Sequence, residues 1–342
     1  MNPQPIDRDA IMRAQDAFES GLYDDAEQIC RDILEHNQRC AAAWQILGLL
    51  ARQGGNRELA REFLSLAVEI EPQNPEFLSD LGTVCTEGGE FEKGLYYCQQ
   101  AYDLSPESKK SIVALADAMI GANETDGAIA LFQKALQAYP KDVETVIKYA
   151  LGLQRLNRTK EAISHFRMAC RLGPRSVEAF FHLAVALESA HAYSEAMDCY
   201  ERSLKINSDV GFVWYRKSKL LNRLQKFELA FTASVGALRC EPEQAAYYYE
   251  QGFALQNLRR TKEALQAYNI ALAKGLDSQD LHCNRGVALK DLADHPQAIR
   301  SFHRAVQLDP RNVRYLNNLG AASLDMGLNS EALECFRHVL EL

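Results

Sequence analysis

Long apolar runs are missing from this chain. The longest, around Ala41–Ala51, contains Gln45 and is too short to span a bilayer. Met1 to Arg13 has no apolar core, so no signal peptide is expected. An excess of basic residues is also missing. Lys and Arg number 38 against 46 Asp and Glu, and the net charge of −8 argues against general nucleic-acid or anionic-membrane binding. There is no C-x-x-C pair among the nine cysteines, Cys30, Cys40, Cys85, Cys98, Cys170, Cys199, Cys240, Cys283 and Cys335. An odd count without pairing motifs points to a reducing compartment, and the expectation is a cytoplasmic protein without a bound metal. No P-loop, G-x-G-x-x-G, G-x-S-x-G or H-E-x-x-H occurs. Cys170, His165 and His182 are close in sequence, but their places point to different faces. The many carboxylates read as a solvated helical face. The chain reads as non-enzymatic, with no cofactor. Strand-like alternation is absent, and no Pro/Gly/Ser-rich linker or low-complexity tract interrupts the sequence.

A period of 34 residues is present, ten times over and without insertion or deletion. Counted from Asp7, windows start at 7, 41, 75, 109, 143, 177, 211, 245, 279 and 313, leaving residues 1–6 as an extension. A fixed period of this size specifies a solenoid, in which each unit buries its apolar face against its neighbours. The eighth place is always small: Ala14, Gly48, Gly82, Ala116, Ala150, Ala184, Ser218, Gly252, Gly286 and Gly320. The twentieth is Ala in nine windows and Gly94 in the other, and the twenty-seventh is Ala or Ser in eight. Such residues let helix backbones approach closely. Large apolar residues alternate with them, among them Trp44, Phe180 and Trp214 at the fourth place and Leu64, Phe132, Phe166, Tyr200, Tyr268 and Phe302 at the twenty-fourth. Steps of three and four residues give helical periodicity. Gly or Asn at the fifteenth place, as in Gly21 and Asn123, ends one helix; Pro at the thirty-second, as in Pro72 and Pro310, ends the next. Each window therefore reads as helix, turn, helix, turn. Cys30 and Cys98 occupy the twenty-fourth place and are expected to pack as small hydrophobes.

Windows such as Trp44-Gln45-Ile46-Leu47-Gly48, followed by Ala60, Leu64, Ala67 and Pro72, resemble the tetratricopeptide repeat. The resemblance covers residues 7–342. It implies an all-α, right-handed superhelical solenoid of ten helix-turn-helix repeats, with first helices lining a concave groove and second helices forming the convex back. It also implies a protein-binding scaffold. Some places depart from the pattern. Arg13, Lys217, Gln251 and Arg285 stand at the usually apolar seventh place, where their stems can cover apolar surface. His282 replaces a large apolar residue, and Ser208 and Leu276 stand where Pro is expected. The junctions near Ser208–Gly211 and Gly275–Asp277 are accordingly expected to be softer.

On each first helix the second, sixth, ninth and thirteenth places form one stripe, which the resemblance puts on the concave wall together with the fifth and twelfth. Windows three and four read as acidic there, with Glu76, Asp80, Glu87 and Asp117. Windows five to seven read as basic, with Lys148, Arg155, His182, Arg216, Lys219 and Arg223 against Glu144 and Glu178. Phe181, Tyr215, Tyr249 and Phe253 lie along or beside that stretch. Basic residues interleaved with aromatics are the material of binding hot spots. The expected partner is a protein or peptide segment bearing acidic and apolar side chains. The Lys-and-Asn clamp with which chaperone-binding members hold a terminal carboxylate is not found. O-linked N-acetylglucosamine transferases carry similar arrays with a ladder of groove asparagines. Only Asn284 and Asn318 take that position here, so a substrate-recruiting arm of a larger enzyme is the alternative. A homo-oligomeric scaffold is a third reading. It follows from Leu333, Phe336, Val339 and Leu340 on a last helix with none after it, where self-association or a further domain is expected.

Overall fold

Apolar residues at positions i, i+4 and i+7 dictate the local structure. Ala60, Leu64 and Ala67 are the buried side of one helix, Ala128, Phe132 and Ala135 of another, and Ala162, Phe166 and Ala169 of a third. In a computed structural model, which describes residues 8–342, these stripes become helices throughout. The chain forms two compact units, Met1–Pro174 and Arg175–Leu342. The N-terminal extension, residues 1–6, lies outside the described residues, as does Asp7.

The first unit holds α1 (Arg8–Glu19), α2 (Tyr23–His36), α3 (Ala41–Gln53), α4 (Arg57–Ile70), α5 (Pro75–Glu87), α6 (Phe91–Leu104), α7 (Lys109–Gly121), α8 (Thr125–Ala138), α9 (Val143–Arg155) and α10 (Thr159–Leu172). The second holds α11 (Val177–Ser189), α12 (Tyr193–Ile206), α13 (Gly211–Arg223), α14 (Phe227–Cys240), α15 (Ala245–Asn257), α16 (Thr261–Ala273), α17 (Gln279–Asp291), α18 (His295–Leu308), α19 (Val313–Asp325) and α20 (Asn329–Glu341). No strand occurs among the described residues. Odd-numbered helices are the first helices of the windows and even-numbered ones the second, and each pair packs as an antiparallel hairpin.

Small residues at the eighth place seat the large residue at the twenty-fourth. A Cβ on Gly286 would come within 2.6 Å of the Phe302 ring. That contact explains why nothing larger stands there. Phe132, Phe166, Tyr200, Tyr268 and Phe302 are all buried in such seats, each contributing about 1.5–3 kcal/mol on burial.

Between the two helices of a hairpin, the chain reverses through one left-handed residue. All ten fifteenth places adopt it. Gly21, Gly55, Gly89, Asn123, Asn157 and Gly327 were expected to, but so do His191, Gln225, Arg259 and Ala293.

The turns from one window to the next show a rule that proline alone does not reveal. Of nine such junctions, six have Pro at the thirty-second place and three have Gln38, Ser208 or Leu276. Each of the three is followed, six residues on, by a fourth-place side chain that binds the turn. The Trp44 indole donates to the Gln38 carbonyl at 2.9 Å, and the Trp214 indole to the Ser208 carbonyl at 2.8 Å. His282 Nε2 lies 2.7 Å from Asp277 Oδ1, and Arg304 pairs with the same carboxylate. The junctions expected to be soft are therefore braced by other chemistry. His282 departs from the apolar pattern because its ring holds a turn.

Candidate peptide-binding surface

Within the first unit, α3 lies against α5, α5 against α7 and α7 against α9. Within the second, α13 lies against α15, α15 against α17 and α17 against α19. Successive second helices make no comparable contact. A stack whose first helices crowd while its second helices splay bends toward the first-helix side, so in each unit that side is the inner face.

Polar side chains on this face pair across repeats. In the first unit Gln45 donates to Asp80 at 2.6 Å, and Lys110 pairs with the same carboxylate at 2.8 Å. Arg52 holds Glu87 through two hydrogen bonds of 2.5 and 2.9 Å. Lys148 pairs with Asp117 at 3.0 Å and lies 3.7 Å from Glu144. Burial opposes the charge on Lys148, but Asp117 outweighs it and the ammonium pKa is raised. Burial also lifts the pKa of Asp117, against the pull of Lys148. The wall over windows three and four is consequently not the bare acidic surface its carboxylates suggest. Asp80 is buried, and Glu87 and Asp117 are covered by cations from the adjacent repeat. Arg52, Lys109 and Lys110 were missed because each carboxylate was read within its own window. Opposite charges about one period apart were the signal that could have found them.

Lys148 and Arg155 belong to the first unit, and the other ten candidates to the second. Arg155 is exposed at the end of α9. In the second unit, Phe181 is half-buried, meeting Phe212 edge-on with ring centroids 4.7 Å apart. His182 stands beside it, and burial lowers its pKa, which keeps the imidazole neutral near pH 7. Arg216 Nη2 lies 3.8 Å from Glu188 Oε2, the oxygen that also accepts a 3.0 Å hydrogen bond from Tyr200. Arg216 is thus tied into the hairpin below. Arg223 is exposed, with its guanidinium 5.1 Å over the Tyr193 ring. Lys219, one turn earlier, is exposed and forms no ion pair with any described residue. It lies in the field of Glu250, whose pKa is raised by burial against hydrogen bonding from Asn222 and the charge of Lys219.

Tyr215 stacks on Tyr247 with centroids 4.9 Å apart. Tyr249 lies 6.1 Å from Tyr268, and Phe253 lies 6.4 Å from Phe227. All three candidate rings keep a partly exposed side. Asn284 Nδ2 donates to the Tyr249 hydroxyl at 3.1 Å, and Asn318 Nδ2 to Cys283 Sγ at 3.2 Å. The two ladder asparagines therefore direct an amide N–H at neighbouring helices. Tyr215, Lys219 and Arg223 lie on α13, and Tyr249 and Phe253 on α15, which packs against it. Tyr247, which stacks on Tyr215, and Tyr193, which lies under Arg223, are outside the concave-wall places read from the sequence. Among the described residues, no group of three His, Cys, Asp or Glu is placed to hold a metal, and no helix is long and apolar enough to cross a membrane.

One sequence model of the tetratricopeptide repeat matches residues 11–75, 148–210 and 283–341, and a second matches residues 86–147. No match is found among curated proteins. The fold is similar to the Cut9–Hcn1 hetero-tetramer of the APC/C, with TM-score 0.55, 12% identity and coverage of 97% of this chain and 72% of that one. YrrB, described as a TPR protein with an unusual peptide-binding site, is 21% identical over 54% of this chain and 96% of its own, with TM-score 0.48. Yeast Tom70 is 16% identical over 97% of this chain and 91% of its own, with TM-score 0.45. With ten helical hairpins in register and repeat signatures covering most of its length, the chain belongs to the tetratricopeptide repeat family.

Proposed function

We propose that the protein is a non-enzymatic interaction scaffold. It docks a peptide or protein segment bearing acidic and apolar side chains on the first-helix face of α13 and α15. One observation carries this reading. Lys219 and Arg223, a turn apart on α13, are exposed and form no ion pair with any described residue, whereas Arg216 and Lys290 on the first-helix face of the same unit are spent on a carboxylate of a neighbouring repeat. The half-buried rings of Tyr215, Tyr249 and Phe253 supply contact area beside them. Cations without ion pairs keep their charge for a ligand, and the rigid aromatics beside them lose little entropy on binding.

Lys219→Glu combined with Arg223→Glu tests it. Neither side chain holds another element through an ion pair, so the fold should survive, which circular dichroism would verify. Binding to an array of peptides that mix acidic and apolar residues should weaken about tenfold or more, and wild-type binding should fall with added salt. Equal affinity of the double variant for every peptide bound by the wild type would remove the reading. Reversing Arg216 as well would confound the result, because it would set a new carboxylate against Glu188.

A further inference from the structure

The second window differs from the other nine on its second helix. Its nineteenth, twenty-third, twenty-sixth and thirtieth places hold Leu59, Phe63, Leu66 and Ile70. No other window has a large apolar residue at all four places. The windows before and after it have Asp25 and Asp32, and Lys93 and Gln100, at the first and third of them. Steps of four, three and four residues make one stripe on α4, three turns and about 17 Å long. An apolar stripe of this kind normally packs against another element. This one borders a cavity on the second-helix side of the first unit.

The cavity is a trough in two parts, of about 340 and 670 Å³, which share Arg31, Leu47 and Phe63. Leu59 and Phe63 line one part, and Phe63, Leu66 and Ile70 the other. Its banks are α2 and α4, second helices that make no comparable contact with each other. Its floor is α3, through Trp44, Leu47, Leu50 and Ala51. The Trp44 ring is held in place by its hydrogen bond to the Gln38 carbonyl, and its centroid lies 5.4 Å from that of Phe63.

The rim of the trough is acidic. Asp24, Glu27, Glu35 and Glu69 line it against Arg31 and Arg39, a balance of −2. Counter-ions do not cancel that charge. Arg31 is spent on Glu27 at 2.6 Å, whereas Asp24, Glu35 and Glu69 are exposed and form no ion pair with any described residue. Over the whole of α2 and α4, eight carboxylates stand against three arginines, and one of these, Arg61, pairs with Glu90 of the next repeat.

We propose that the trough between α2 and α4 docks an amphipathic helix of a partner protein, its apolar stripe against the floor and its flanks rich in lysine or arginine. The three- and four-residue spacing on α4 matches the spacing of such a stripe, so the two sets of side chains interdigitate. Basic flanks meet Asp24, Glu35 and Glu69, and an acidic helix of the same shape is repelled. This surface lies on second helices, in the other unit from the α13–α15 patch, and takes a ligand of opposite charge.

The test uses the full chain and three fluorescently labelled helical peptides, read by anisotropy. The first carries leucines at three- and four-residue spacing with lysines on both flanks. The second has glutamate in place of each lysine. The third has the composition of the first with its leucines dispersed, so that charge is kept and the stripe is lost. The first should bind, and the other two at least tenfold more weakly. Glu35→Lys combined with Glu69→Lys should weaken binding of the first about fivefold. Both carboxylates are exposed and hold nothing, so this variant carries the test even where Leu66→Ser, which should also weaken binding about fivefold, disturbs α4. Binding should persist in Lys219→Glu/Arg223→Glu, which separates this site from the α13–α15 patch. The proposal is overturned by equal binding of the first and second or the first and third peptides, by unchanged affinity in Glu35→Lys/Glu69→Lys, or by loss of binding in Lys219→Glu/Arg223→Glu. No binding of the first peptide to the wild type would overturn it equally. Sedimentation should give wild type and Glu35→Lys/Glu69→Lys the same mass; a wild-type oligomer dissolved by that variant would assign the trough to a second copy instead.

Discussion

Ala293 is held at φ 63° by the turn between α17 and α18, in the same left-handed region that its counterparts Gly21 and Gly327 reach at no steric cost. A residue with a Cβ there carries roughly 1–2 kcal/mol of strain. Ala293 is exposed and buries nothing that a glycine would forfeit. Replacement by Gly relieves the strain but adds unfolded-chain entropy worth about 0.4–1 kcal/mol. The net expectation for Ala293→Gly is stabilisation of about 0.5 kcal/mol, seen as a higher denaturation midpoint at constant slope in urea. A lower midpoint would mean that the left-handed turn is not strained. The turn itself was legible at Gly21 and Asn123, where residue type and conformation agree. At His191, Gln225, Arg259 and Ala293 only the 34-residue register gives it away, because hairpin closure overrides local preference.

Helix boundaries follow from the sequence more closely than the junctions do. Apolar spacing and the small eighth and twentieth places fix where helices cross, since a Cβ at Gly286 or Gly320 would strike Phe302 or Phe336. Proline marks six window-to-window turns. The other three need a donor or ion pair from the following helix, and the sequence shows only an unremarkable Trp or His at the fourth place. Trp214→Phe isolates that contribution, since it keeps an aromatic ring and deletes the indole N–H bonded to the Ser208 carbonyl. Loss of one such bond should cost about 1 kcal/mol, and amide exchange at Asp209 through Val213 should accelerate. The same substitution pattern at a proline junction, such as Tyr248→Phe after Pro242, should leave exchange unchanged, because among the described residues the side chain that bonds that turn is Tyr247, whose hydroxyl donates to Glu241 at 2.9 Å, and not Tyr248. Equal exchange in Trp214→Phe and wild type would show that the brace carries no energy.

Across the molecule, the architecture was legible because period, small residues and breakers repeat in register, each reinforcing the others. The candidate surface was only partly legible. Tyr215, Lys219 and Arg223 lie on α13 and Tyr249 and Phe253 on α15, but Arg216 is committed to Glu188 and the acid of Asp80, Glu87 and Asp117 is screened by cations one repeat away. Stripe chemistry within a window cannot show pairing between windows. The cysteines offer a measurement on the same scale. Cys30, Cys40, Cys85, Cys98, Cys283 and Cys335 are buried, whereas Cys170, Cys199 and Cys240 are half-buried. Stability in a repeat array is a sum of nearest-neighbour terms, so a hairpin flanked on both sides opens less often than one flanked on one. Cys98 on α6 is fully covered by its neighbours, and burial pushes its thiol up to about 12, so it reacts only on opening. Cys335, on α20, is 7% exposed and packs mainly against α19. Native-state alkylation at pH 8, followed by mass spectrometry, should modify the half-buried cysteines first, Cys335 next and Cys98 last. Modification of Cys98 as fast as Cys335 would show that opening is concerted over the whole array rather than local to a hairpin.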